Sequence, residues 1–138
     1  PSNENDNFLR IKIRKLINQL KKDGLTFKKF NLTLKNLNKS NSAIDFYVKK
    51  NINENTSVLD KKKSIIINEI FFNQPEEVVF RSLSKLIHEI GSKKSFTRGR
   101  KIVSLLNDIN SNKNFRKKTL SGCILEKVNK SIIISKEK

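Results

Sequence analysis

The stretch TFKKFNLTLKNLNKSNSAIDFYVKKNIN, residues 26–53, decides the fold. It contains no glycine or proline. Phe27, Phe30, Leu34, Leu37, Ile44 and Val48 recur in alternating steps of three and four residues. Asn41 takes the one step of that series that is not apolar. Steps of this size bring side chains onto one side of an α-helix, so the spacing predicts a long amphipathic helix. Its seam is wide enough to pack on another helix. Asn51 to Asn55 are expected to end it.

Towards the N-terminus, Pro1 to Asn7 reads as polar and turn-like. Phe8 to Lys22 is a predicted helix with Leu9, Ile13, Leu16, Ile17 and Leu20 on one face, stopped by Asp23-Gly24. Towards the C-terminus, Ser57 to Leu59 and Ser64 to Ile67 form a short β-prone pair around a turn at Asp60 to Lys63. Asn68 to Asn73 reads as a helical turn. Pro75 followed by Glu76 and Glu77 is a helix start, because proline loses no needed bond there and the acids complement the helix dipole. Val79, Leu83, Leu86, Ile87 and Ile90 form that helix's apolar face, and Gly91 is expected as its cap. After the linker Ser92 to Thr97, a further helix from Arg98 to Ile109 turns Ile102, Leu105, Leu106 and Ile109 inward.

The period then drops to about two. Phe115 to Leu120, Cys123 to Val128 and Ser131 to Ser135 are strand-like, with a hairpin turn at Asn129-Lys130 and a kink or bulge at Gly122. The expected class is mainly α (α+β): a helical domain with a long amphipathic helix and a small C-terminal antiparallel β-hairpin or sheet.

Charge narrows the function. The chain has 138 residues and a formal net charge of +17, from 30 Lys+Arg against 13 Asp+Glu. Such a field draws polyanions, nucleic acid before anionic membrane. Only six of the basic residues are Arg. Lys, Asn and Ile have A/T-rich codons, so gene composition supplies part of the charge. Cys123 and His88 are the only residues of their kinds, which excludes an intrachain disulfide and a Cys/His zinc site. No apolar run approaches the ~20 residues of a membrane span, and no secretory signal is present. The expectation is a cytoplasmic protein without membrane contact. The polar start at Pro1, without Met, reads as the middle of a gene, so the chain is expected to be a fragment.

Four segments carry a family resemblance. Pro1-Ser2-Asn3, Asp6, Asn7-Phe8-Leu9-Arg10 and Ile13-Arg14 resemble the "D-P-S-N…(N/D)-x-x-x-R-x-x-(I/V)-R" stretch of tRNA(Ile)-lysidine synthases. In that family the stretch lies near the end of the catalytic ATP-pyrophosphatase domain. Gln74 to Val78, Arg81 and Leu83 to Ile90 resemble the family's "L-P-x-E-V-x-x-R-x-L" helix. Ser95 to Leu106 resembles its "Y-P-P-R…L…L" segment, with Thr97 and Gly99 departing from the prolines. Thr119 to Cys123 resembles "T-L-G-G-C", which leads into a final hairpin. The four occur in the family's order and span nearly the whole chain.

The resemblance implies three parts: residues 1–24 as the end of the catalytic domain, 25–114 as a helical tRNA-binding domain, and 115–138 as a C-terminal β-hairpin. It implies an ATP-dependent ligase that forms a carbon–nitrogen bond. ATP, with Mg2+, adenylates the C2 carbonyl of the wobble cytidine in the CAU-anticodon isoleucine tRNA, releasing pyrophosphate. The amine of L-lysine then displaces AMP. The resulting lysidine changes reading from AUG and Met to AUA and Ile. The family's ATP loop, S-G-G-x-D-S, has no counterpart here, because no Ser-Gly-Gly occurs. This chain is therefore expected to dock tRNA without catalysing, to hold no cofactor or metal and to contain no catalytic residue. A homodimer is compatible with the resemblance. The competing reading is a non-catalytic basic nucleic-acid-binding protein, associated with nucleoid or ribosome.

Candidate tRNA-binding residues follow. Arg10 and Arg14 sit four apart on one helix face, where guanidinium forks suit phosphate. The plainer alternative is a solvated pair. Arg98, Arg100 and Lys101 open a helix, with Lys93 and Lys94 just before. Positive charge opposes the dipole there, which points to an external anion; a solvated loop is the alternative. Asn3 and Asn7 are expected to bond backbone and shape a turn rather than touch substrate. Lys61 to Lys63 read as a solvated turn, and Arg81 as a partner of Glu77. His88 reads as a packing or surface residue and Cys123 as a small buried hydrophobe. The Phe residues fall mostly on apolar faces, so no base-stacking aromatic is expected.

Overall fold

The computed structural model describes residues 2–60, 64–91, 96–111 and 115–138; within these, residues 2–7 and 60 are described by backbone alone. Lys61 to Lys63, Lys93 and Lys94 lie outside the described residues. The class is α+β and mainly α. Among the described residues there are four α-helices: α1 (Ser2–Lys22), α2 (Phe27–Asn55), α3 (Glu76–Gly91) and α4 (Gly99–Ser111). A 3-10 turn (Glu69–Asn73) precedes α3. The strands are β1 (Thr56–Asp60), β2 (Ser64–Ile67), β3 (Lys117–Leu120), β4 (Cys123–Val128) and β5 (Ser131–Lys136). No described helix is long and apolar enough to cross a membrane.

Compact packing divides the chain into Pro1–Asn41 and Ser42–Lys138. This division falls inside α2, whereas the boundaries after residues 24 and 114 follow the resemblance. In the first unit, α1 begins at Ser2, so the expected turn is corrected to helix over residues 2–7. Asn3 and Asn7 consequently sit on helical backbone and shape no turn. No glycine or proline interrupts the sequence between Pro1 and Asp23. Gly24 ends α1 at φ +91°. The Leu25 N–H donates to the Leu20 carbonyl (2.9 Å) and the Gly24 N–H to that of Lys21 (3.2 Å), the Schellman pattern that glycine permits. Thr26 then caps α2, its Oγ1 accepting from the Lys29 N–H at 3.2 Å. Every residue from Phe8 to Asn41 is exposed, the apolar faces of both helices included.

In the second unit, the two expected β pieces are one antiparallel sheet of order β1-β2-β5-β4-β3. The join is β2 to β5, with Ile65 opposite Ile134 and Ile67 opposite Ile132. Period-two alternation turns Ile67, Cys123, Leu125, Ile132 and Ile134 into the core. There they meet Leu83, Leu86, Ile87 and Ile90 of α3 and Ile102 and Leu105 of α4. The expected faces of α3 and α4 are thus the buried ones.

α2 ends at Asn55, within the expected 51–55 stretch, and Asn51 and Asn55 are buried in its last turns. Asn51 Nδ2 donates to the Phe71 carbonyl and Ser82 Oγ, both at 3.3 Å. Asn55 Nδ2 donates to Asn51 Oδ1 at 2.8 Å. Asn68 caps the 3-10 turn, accepting from the Phe71 N–H at 3.1 Å, and its amide reaches Asn55 Oδ1 at 3.4 Å. This chain of amides fastens α2 to the 3-10 turn and to α3 and satisfies polar groups that burial would otherwise strand.

Candidate nucleic-acid interface

Three segments meet where α3 ends. Ser121 and Gly122 form a two-residue turn between β3 and β4, with φ +52° and +80°, and Leu120 pairs with Cys123 across it. Positive φ at both positions is the hairpin turn that matches strand twist. Gly122 is therefore a turn residue, which corrects the expected kink or bulge. Gly91 is the last residue of α3, and it lies against this turn. A Cβ at 91 would overlap the Ser121 carbonyl oxygen and sit 3.2 Å from Cys123 Sγ. α3 ends at Gly91 as expected, and the close approach of the turn is a further reason for glycine there. Thr97 Oγ1 donates to Ser121 Oγ at 2.6 Å and pins the entry to α4 on the same turn.

On that pinned entry stand the predicted cations. Arg98, Arg100 and Lys101 are all exposed. Among the described residues none of them forms an ion pair. The Lys101 N–H donates to the Arg98 carbonyl at 2.9 Å, closing the first turn of α4. Arg10 and Arg14 are exposed on α1 and likewise lack an ion pair among the described residues. They belong to the first unit, the α4 cations to the second.

Other positively charged groups are engaged. Arg81 Nε contacts Glu77 Oε1 at 2.6 Å, and its Nη1 lies 3.7 Å from Asp45 Oδ1, so this arginine ties α3 to α2. Lys118 pairs with Asp108, joining β3 to α4. An open groove of about 820 Å³, partly lined by Phe72, Phe80 and Val103, carries Glu76 and Glu77. Its charge is of the wrong sign for a polyanion.

Cys123 is fully buried, with its thiol donating to the Ile87 carbonyl at 3.3 Å. The His88 ring lies parallel to that of Phe96, with centroids 3.9 Å apart and planes at 17°. Its Nδ1 is buried and makes no hydrogen bond with the described residues. Phe96 is itself 67% exposed. Sequence reasoning missed this exposed ring by assigning phenylalanines to the core. The available signal was its place in a linker, outside any helical period and between Lys94 and Arg98.

Among the described residues no cluster of three His, Cys, Asp or Glu side chains offers a metal site. None of the four glycines neighbours another, so no glycine-rich loop cradles a phosphate. No family model, curated protein or solved structure matches the chain.

Proposed function

We propose that this chain is the tRNA-docking part of a tRNA(Ile)-lysidine synthase, a cytoplasmic ATP-dependent ligase acting on the CAU-anticodon isoleucine tRNA and L-lysine. One observation carries the reading. Three of the four resembling segments meet at the β3–β4 turn: α3 through Gly91, the α4 entry through Thr97, and Thr119 to Cys123 as the turn itself. Three exposed cations without ion pairs among the described residues stand on that junction. Phosphate contacts from such a surface give affinity and position, and leave chemistry to other residues. The uncovered apolar face of α1 also suits a helix that packs on a catalytic domain.

The competing reading is a basic nucleic-acid binder without catalysis. Competition binding separates them. The CAU isoleucine tRNA should displace bound probe at far lower concentration than random duplex of equal length. Equal displacement would return the chain to the general binder. The gene upstream of residue 1 gives a second check, since it should encode Ser-Gly-Gly-x-Asp-Ser after a strand.

A further inference from the structure

We infer that Phe96, backed by His88, is a stacking platform for an unpaired base of single-stranded RNA, with Arg98, Arg100 and Lys101 holding the adjacent phosphates. This deepens the docking reading above and rests on it.

The geometry begins with the two rings. His88 covers one face of Phe96 at stacking distance, 3.9 Å between centroids and 17° between planes. Even with His88 against it, Phe96 is 67% exposed, which leaves ring surface for a further stacking partner. A base has a π-face of its own and can continue such a stack whatever its identity. The ring is also held in place. His88 stands on α3, whose apolar face is buried in the core. Thr97, the next residue, is bonded to Ser121 of the β3–β4 turn. A platform fixed before binding loses little entropy when the base arrives.

The cations fall within reach. Five residue steps separate Phe96 from Lys101, at most about 17 Å of chain. That range covers the phosphates either side of one stacked base. Arginine and lysine without an ion pair among the described residues are available to phosphate oxygens.

Other exposed rings are less suited. Phe46 and Tyr47 meet edge to face, at 5.5 Å and 83°, and each obstructs the other. Lys50, beside them, pairs with Glu54 at 4.0 Å. The ring of Phe8 has the Lys12 ammonium over it at 5.5 Å. Among these, Phe96 combines exposed ring surface, a rigid backing and adjacent unpaired cations.

The chain has no tryptophan, so Phe96→Trp makes a unique fluorophore at the platform. Single-stranded RNA should quench its emission, while duplex RNA of equal phosphate number should bind with little quenching. Phe96→Ala should lower affinity for the single strand roughly 5- to 100-fold and leave duplex affinity and melting temperature unchanged. Two results overturn the platform but leave docking intact: RNA binding without preferential quenching by the single strand, or equal single-strand affinity in Phe96→Ala and the parent. Absence of binding to either RNA overturns both readings.

Discussion

Gly91 lies directly against the Ser121 carbonyl oxygen, leaving no room for a side chain at the end of α3. Two opposing effects act on Gly91→Ala. Alanine is favoured over glycine in a helix by about 1 kcal/mol. Overlap with a backbone oxygen forces the β3–β4 turn to move and costs roughly 2–4 kcal/mol. The clash should win, with net destabilisation in urea of about 1–3 kcal/mol. Cys123 gives an independent readout, being the sole cysteine and fully buried. Its labelling by a thiol reagent should accelerate in the variant. Labelling and stability equal to the parent would mean the turn yields freely.

The amide chain through Asn51 gives a second prediction. Asn51 is 3% exposed and serves Phe71, Ser82 and Asn55 at once. Asn51→Ala leaves those partners buried and unsatisfied, which should cost about 2–4 kcal/mol. Asn51→Leu should fare no better, because filling the volume restores no donor. Urea denaturation measures both. A loss below about 0.5 kcal/mol in either would show that water replaces the amide.

The α4 cations give a third. If Arg98 and Arg100 each hold a phosphate, removing both should flatten the dependence of log affinity on log salt by about 1.5 in slope. Melting temperature should change little, since neither forms a salt bridge among the described residues. Titrating RNA at several salt concentrations checks this. An unchanged slope would assign both to plain solvation.

Much of this protein was readable without coordinates. The amphipathic steps of α2, the stop at Gly24, the start after Pro75 and the inward faces of α3 and α4 depend on neighbours within a few residues. Helical periodicity and capping act at that range, so the sequence determined them. The exposure of Arg10, Arg14, Arg98, Arg100 and Lys101 was also legible, because a charged side chain favours water whatever the fold.

The tertiary structure decided what depends on residues far apart in the chain. Nothing local says that Ile65 to Ile67 pair with Ile132 to Ile134, which makes one sheet of two pieces. Asn51 to Asn55 read locally as the end of a helix, which they are, but only burial supplies Phe71, Ser82 and Asn68 as their partners. Gly91 reads locally as a helix end, and only the β3–β4 turn packed against it decides that no side chain fits there. Phe96 sits in a linker that carries no periodic signal, and only folding leaves it exposed with the His88 ring stacked on it. In each case the residue's role is set by a group brought close by folding, and propensity carries no information about that group.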